Sequence, residues 1–264
     1  MKKKLIRIFT VVLALTMIFA LTACKAENAP DDEQLSPEEK VEKEVSPYSL
    51  YTKASKAMQD AKDLSMVINM SVSGGTEDMS MNGPVQAIMT SETEREMLMT
   101  LNVTMMGQEI PMTMYYKEGF AYFEMMGRKF KQPMGSEQAS AQANVGRVEF
   151  PEDAIKNQSM KEIPSGTELS FTIDGSKMEG IVSGSLGGMD KLFGDMSFEY
   201  GDLTIVATLD TQENLTGMSL NAEVSSTADA TQRGLITIAM TDIQLGGVVI
   251  TAPPDLESYP EGLS

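Results

Sequence analysis

Alternation of apolar and polar residues with a period of two is the leading pattern in this chain. It is clearest at residues 97–105 and 110–117, and it recurs at residues 66–73 and 120–126. Successive side chains of a strand point to opposite faces of a sheet, so the pattern predicts antiparallel strands with one buried face and one polar face. Further strands are predicted at residues 79–90, interrupted at Gly83-Pro84, and at 169–173, 196–200, 203–209, 215–227, 234–245 and 248–250.

A different spacing, of three and four residues, follows Ser46-Pro47 and predicts an amphipathic helix. Serine is a favoured N-cap and proline is favoured at the first helical position, so the pair marks a helix start. A second helix is predicted at residues 178–193, weakened by interior glycines, whereas residues 132–166 show no clear pattern. The first predicted helix has about five turns and one apolar stripe, which would need a surface to pack on. The stripe consists of Leu50, Tyr51, Ala54, Ala57, Met58, Ala61 and Leu64.

These elements predict an α+β fold. About eight to ten strands, mostly joined as hairpins, follow the first helix. A curved antiparallel β-sheet with helices packed on its concave face accommodates both patterns. Residues 46–264 are long enough for one β-rich domain, and no internal repeat argues for two.

The N-terminus has the three parts of a secretory signal. Lys2, Lys3, Lys4 and Arg7 precede an apolar run over residues 8–21, and Leu21-Thr22-Ala23-Cys24 follows. The run is shorter than the roughly 20 residues that a membrane-spanning helix needs. We therefore expect a signal peptide at residues 1–23.

The Leu21-Thr22-Ala23-Cys24 sequence resembles the lipobox of bacterial lipoproteins. The resemblance implies cleavage before Cys24 and a diacylglyceryl group on its sulfur, which would anchor the chain to a membrane. Two acyl chains suffice for stable anchoring. Residues 24–45 would then be the lipidated cysteine and an acidic tether with little to bury, for which disorder is the default. The expected location is extracytoplasmic, lipid-anchored to the bacterial cell membrane.

Composition narrows the classes of function. The chain has no histidine, no tryptophan and one cysteine, which excludes a Ser-His-Asp triad, a histidine-liganded zinc site and a disulfide framework. No phosphate-binding loop or nucleophile elbow occurs. We expect no enzymatic activity, no cofactor and no metal. The formal net charge of −17 argues against nucleic-acid binding, and we expect a monomer.

The order of helix and strands behind a lipobox resembles the LolA/LppX-type lipoproteins, and more closely the uncharacterised Gram-positive lipoproteins of that architecture. The residues that carry the likeness lie at 51–58, 115–122, 207–210 and 250–259. The resemblance implies a half-open β-barrel closed by helices around an apolar cavity that holds lipid or acyl chains. Methionine replaces much of the usual valine, isoleucine and leucine, and the chain departs from the family in this respect.

The 23 methionines allow three interpretations. They could fill an irregular core, they could form an adaptable lining for a flexible apolar ligand, or they could bind Cu(I) through their thioethers. The second interpretation predicts a lipid or acyl-chain carrier; the first predicts a structural or interaction lipoprotein with a filled core. The lining expected for a carrier consists of Tyr51, Met58, Met97, Met99, Leu101, Met105, Met112, Met114 and Tyr116.

Overall fold

The computed structural model describes residues 45–74, 78–91, 94–135, 148–177, 198–226 and 233–262. The expected signal peptide, Cys24 and nearly all of the expected tether lie outside the described residues. So does the second predicted helix at 178–193. Within the described part of the chain, no helix has the length and apolar character needed to cross a membrane.

One α-helix, α1 (Pro47–Asp60), begins where the sequence predicts. The Ser46 side chain accepts a 3.1 Å hydrogen bond from the Ser49 backbone N–H, and Pro47 occupies the first turn, as expected for an N-cap. The helix is shorter than predicted, because Leu64 belongs to the first strand, where it pairs with Leu245 and Ala87. Leu64 fits the helical spacing of apolar residues, but it occupies a buried position of the strand.

Eleven strands form one antiparallel sheet. Their order across the sheet is β6-β5-β4-β3-β2-β1-β11-β10-β9-β8-β7, so two meanders join along the β1–β11 pair. The sheet is not closed, since β6 and β7 are its two edges. The strands are β1 (Asp63–Ser73), β2 (Met79–Met89), β3 (Arg95–Met105), β4 (Gln108–Lys117), β5 (Phe120–Met125), β6 (Arg128–Pro133), β7 (Ile155–Ile163), β8 (Gly166–Ile173), β9 (Phe198–Leu209), β10 (Leu215–Ser226) and β11 (Arg233–Leu245).

The α+β class and the large open antiparallel sheet with a helix on one face confirm the predicted fold. Several details of the prediction are wrong. The described residues form eleven strands rather than eight to ten, and the sequence did not predict β6 and β7. Gly83-Pro84 does not interrupt β2, residues 196–209 contribute the single strand β9, and residues 248–250 are not a strand.

The segment after β11 runs to the opposite half of the sheet, which explains why residues 248–250 pair with no strand. The Lys131 backbone N–H donates to the Pro260 carbonyl oxygen at 2.8 Å, and the Gly262 N–H donates to the Lys131 carbonyl oxygen at 2.9 Å. The Tyr259 ring is buried and packs edge-on against Tyr122 at 5.6 Å between centroids. The C-terminal segment thus covers part of the edge of β6.

The core lies on the face of the sheet that carries α1, here called the inner face. Strand register shows its continuity: Met218 of β10 is opposite Met240 of β11, which is opposite Ile68 of β1. Tyr51 of α1 contacts Met218 and Phe171 from above. The buried apolar residues of both meanders therefore form one cluster beneath and beside the helix.

Candidate functional site

The predicted lining residues of β3 and β4 lie on the inner face as cross-strand neighbours. Met97 is opposite Tyr116, Met99 is opposite Met114, and Leu101 is opposite Met112. Directly opposed side chains on one face of an antiparallel pair have Cβ atoms about 5 Å apart. The structure therefore brings these six residues together.

Met105 lies at the margin of this group. It is opposite Gln108 at the turn between β3 and β4, and its side chain is only partly buried. The other eight candidates are all buried, with Met114 at 0% and Met97 at 1% exposure. The part of the inner face that carries these eight residues is therefore buried.

The two predicted helix residues, Tyr51 and Met58, are also buried. The contacts of α1 with the sheet include β7, β8 and β10, so the helix lies over the C-terminal meander. In the sheet order, β11, β1 and β2 separate β10 from β3. Tyr51 and Met58 belong to the same core cluster as the β3 and β4 residues, and their sharing one ligand lining stays a prediction.

An aromatic cluster beneath α1 was not predicted from the sequence. The Tyr51 ring stacks on Phe150 at 5.1 Å and meets Phe171 at 5.5 Å, and Phe150 and Phe171 are 5.3 Å apart. Aromatic pairs at such separations stabilise a core beyond the area that they bury. Phe171 has the strand alternation of β8 as a signal, whereas Phe150 stands alone before Pro151 and has no periodic pattern.

Two tyrosine hydroxyls of α1 hold the segment that carries Phe150. The Tyr51 hydroxyl donates to the Val148 carbonyl oxygen at 2.6 Å, and the Tyr48 hydroxyl donates to the Phe150 carbonyl oxygen at 3.1 Å. The Tyr51 oxygen also lies 3.4 Å from the Met218 sulfur. Burial, and secondarily the charge of Glu149, raise the pKa of Tyr51 well above its ordinary value. The hydroxyl therefore remains a neutral donor in the interior.

The outer face of the same strands carries polar and charged side chains where the inner face is apolar. Tyr115, which neighbours Tyr116 in β4 but points away from the inner face, donates a 2.6 Å hydrogen bond to a Glu96 carboxylate oxygen. The Lys117 ammonium lies 3.6 Å from the other Glu96 oxygen. Burial and the hydrogen bond to Glu96 raise the pKa of Tyr115. Ionic groups at this end of β3 and β4 are thus paired on the outer face.

The residue types of the inner face suit packing and apolar binding. Thioethers are polarizable, and the unbranched methionine side chain has several rotamers of similar energy, so it fits irregular shapes. Within the described ranges, no group of three or more His, Cys, Asp or Glu residues is arranged to hold a metal ion. The apolar side chains of this face suit noncovalent contact with an apolar surface.

Comparison with known proteins gives structural neighbours. No family model and no curated protein sequence matches the chain. Among solved structures, the chain is similar to LprF from Mycobacterium bovis, with 14% identity, a TM-score of 0.46, and 78% of this chain and 96% of that chain covered.

Two further structures are similar at lower scores. A DUF1329 family protein from Desulfovibrio piger has 7% identity and a TM-score of 0.28, with 75% of this chain and 91% of that chain covered. A domain assigned to outer membrane lipoprotein sorting, from Vibrio parahaemolyticus, has 9% identity and a TM-score of 0.23, with 76% and 92% covered.

Proposed function

We propose that this protein is a membrane-anchored, extracytoplasmic lipoprotein that binds or carries a lipid or acyl chain against its methionine-rich inner face. The observation that carries the proposal is the continuity of methionine across neighbouring strands on that face. Met70 of β1 is opposite Met81 of β2, Met79 of β2 is opposite Met105 of β3, and Met99 of β3 is opposite Met114 of β4.

This arrangement suits a flexible apolar ligand better than a rigid one. A core made of valine and isoleucine has few rotamers and opens only at the cost of strained packing. Opposed methionines can change rotamer together and keep contact with an acyl chain of varying shape. Met70, Met99 and Met114 are buried, whereas Met79, Met81 and Met105 are partly buried. Binding therefore requires that the buried methionines move apart to admit the ligand.

Small residues among the methionines supply room for such movement. Ala87 in β2 and Ala121 in β5 are buried on the inner face. Ala87 is opposite Met97, and Ala121 is opposite Tyr116. Met97 and Tyr116 therefore each have a small neighbour on one side, which lowers the steric barrier to their rotamer changes.

The proposed anchor is the diacylglyceryl group on Cys24. A tether of about 20 residues reaches roughly 25 Å as a flexible chain, and further when its charges repel each other. The body would therefore work close to the membrane that supplies or receives its ligand. Metabolic labelling with an alkyne fatty acid tests the anchor: the wild-type chain should incorporate the label, and Cys24→Ser should not.

Photochemical labelling tests the ligand-binding site. The full-length protein, extracted with its surrounding lipid in styrene–maleic acid particles, is irradiated with a 16-carbon fatty acid that carries a diazirine near its chain end. Peptide mapping should place the adducts in β3 and β4, on inner-face residues such as Met99 and Met114. Adducts confined to exposed methionines such as Met126 and Met160, which are about half exposed, would contradict the proposal.

The near-complete burial of the inner-face side chains supports a second candidate function. Met114, Met97 and Leu101 are at most 1% exposed, as expected when side chains fill a core. In that case the protein is a structural or interaction lipoprotein with no ligand. A bulky substitution separates the candidates: Met114→Phe should reduce labelling of a carrier, while the filled-core protein would show no inner-face labelling before or after the change.

A further inference from the structure

The inner face of the N-terminal meander has an uneven distribution of charge. The chain contains 38 acidic residues, yet on the described inner-face positions of β1–β6 the charged residues are Arg95 and Arg128. Arg95 has the same parity in β3 as Met97 and Met99, and Arg128 has the same parity in β6 as Phe130. Acidic residues of these strands, such as Glu96 and Glu124, have the opposite parity and lie on the outer face.

Arg95 lies at the end of the apolar rows. It is opposite Met89 of β2, whose backbone N–H donates to the Lys62 carbonyl oxygen at 2.7 Å in the link between α1 and β1. Its side chain is partly buried, and its Nε atom is shielded from solvent. Its parity in β3 therefore places a cation at one end of the inner face.

Other polar groups of the inner face lie near the same end. Tyr116 is opposite Met97, two residues from Arg95, which places Tyr116 and Arg95 as diagonal neighbours on one face. Gln132 of β6 is opposite Ala121 of β5, which is opposite Tyr116. The Tyr116 phenol is thus next to the guanidinium, and the Gln132 carboxamide lies two strands further along the same row as Tyr116. The rows beyond are mostly apolar, with methionine, leucine, valine, isoleucine and phenylalanine.

Provided that the protein is the lipid binder proposed above, we propose that its ligand is an amphipathic lipid with one anionic headgroup, a carboxylate or a phosphate, which Arg95 binds at the end of the inner face next to the α1–β1 link. The guanidinium of arginine presents N–H donors in a fork that matches both oxyanions. The acyl chain then extends along the methionine rows towards the turn between β3 and β4. A neutral or cationic headgroup gains no charge-assisted hydrogen bond from Arg95.

Arg128 provides a matched control on the same face. It lies at the start of β6, next to the turn between β5 and β6 and in the row of Leu101 rather than that of Arg95, and its side chain is exposed. An exposed guanidinium is hydrated and screened, so its contribution to headgroup binding is small. Loss of Arg95 and loss of Arg128 should therefore have different consequences.

The experiment compares four diazirine probes with the same 16-carbon chain and different heads: carboxylate, phosphate, hydroxyl and amine. Competition by the unlabelled compounds gives apparent affinities for the full-length protein at pH 8. The wild type should prefer at least one anionic compound over the alcohol by roughly tenfold, as expected for a charge-assisted hydrogen bond. The carboxylate and phosphate arms then identify which oxyanion is bound.

Arg95→Gln should abolish this preference while leaving alcohol binding intact, Arg95→Lys should retain part of it, and Arg128→Gln should retain all of it. Thermal denaturation of each variant shows that the comparison is made on folded protein. Equal inner-face labelling by all four probes would overturn the anionic-headgroup inference and leave the proposed function standing. A preference lost in Arg128→Gln rather than in Arg95→Gln would also overturn the inference. Absence of inner-face labelling by every probe would contradict the proposed function itself.

Discussion

The Tyr51 hydroxyl donates a 2.6 Å hydrogen bond to the Val148 carbonyl oxygen. This bond joins α1 to the segment that leads from one edge of the sheet to the other. Because Tyr51 is 4% exposed, the carbonyl and the hydroxyl satisfy each other away from water. Tyr51→Phe should lower the free energy of unfolding by about 1–2 kcal/mol, the cost of leaving one buried polar group unpaired.

Urea denaturation measures this loss. Tyr48→Phe is the matched control, because the Tyr48 hydroxyl makes the same kind of bond, at 3.1 Å to Phe150, from a less buried position. The control should lose less stability than Tyr51→Phe. Equal losses of unfolding free energy in the two variants would show that the buried hydrogen bond contributes no more to stability than the less buried one.

Alkaline pH should destabilise the protein through its buried tyrosines. Burial raises the pKa of Tyr51 and, together with a hydrogen bond to Glu96, that of Tyr115. A group whose pKa is raised on folding contributes stability that is complete below its unfolded pKa, about 10 for tyrosine, and is lost as the pH rises above that value. The free energy of unfolding should therefore fall as the pH rises above about 10.

The double variant Tyr51→Phe/Tyr115→Phe isolates this contribution. Its stability at pH 7 should be lower than that of the wild type, but its decline at alkaline pH should be shallower. Denaturation curves at several pH values give both slopes. Parallel slopes for the two proteins would contradict the assignment of the pH dependence to these tyrosines.

Gly83 lies in the interior of β2, where no side chain fits. Its φ is 150°, and a Cβ atom built there would lie 2.0 Å from the Thr100 carbonyl oxygen of β3. Gly83→Ala should therefore cost on the order of 2 kcal/mol or more, because backbone of two paired strands must separate. Gly201→Ala in β9 is the control, since its nearest non-neighbouring atom would be at 3.4 Å. Similar melting temperatures for the two variants would contradict this explanation of Gly83.

Met126 occupies a turn position that methionine tolerates poorly. In the two-residue turn between β5 and β6, Met126 has a φ of 52° and Gly127 a φ of 73°, values that favour Asn-Gly. Met126 is 54% exposed, so little packing offsets the backbone strain. Met126→Asn should stabilise the protein by roughly 0.5–1 kcal/mol. Met160→Asn, at an exposed strand position in β7, should give no gain in melting temperature.

The strands that the sequence predicted well are those with one buried face. In β3, Met97, Met99 and Leu101 are buried while Thr100 and Asn102 are exposed, and this contrast produces the alternation. The missed strands are the two edges. β6 has one buried residue, Phe130, and β7 is exposed along most of both faces, so neither had a periodic signal to detect.

Contacts between segments that are distant in the chain could not be predicted from sequence patterns. The position of α1 over β8 and β10 rests on Tyr51 meeting Phe171 and Met218, residues more than 100 positions away. Periodicity predicts that an apolar stripe packs on something, and register predicts cross-strand neighbours within a hairpin. Neither pattern determines which half of an eleven-stranded sheet lies beneath the helix. By contrast, Arg95 could have been placed on the inner face from its parity with Met97 alone.

Native mass spectrometry of the full-length protein, extracted from its own membrane without detergent, tests the central claim most directly. A carrier should retain one lipid: the intact mass should exceed that of the chain with its covalent modification by the mass of one lipid. Collisional activation should release that lipid as an anion. Detection of the modified chain alone, together with no inner-face labelling by the 16-carbon probes, would contradict lipid binding and favour a filled methionine core.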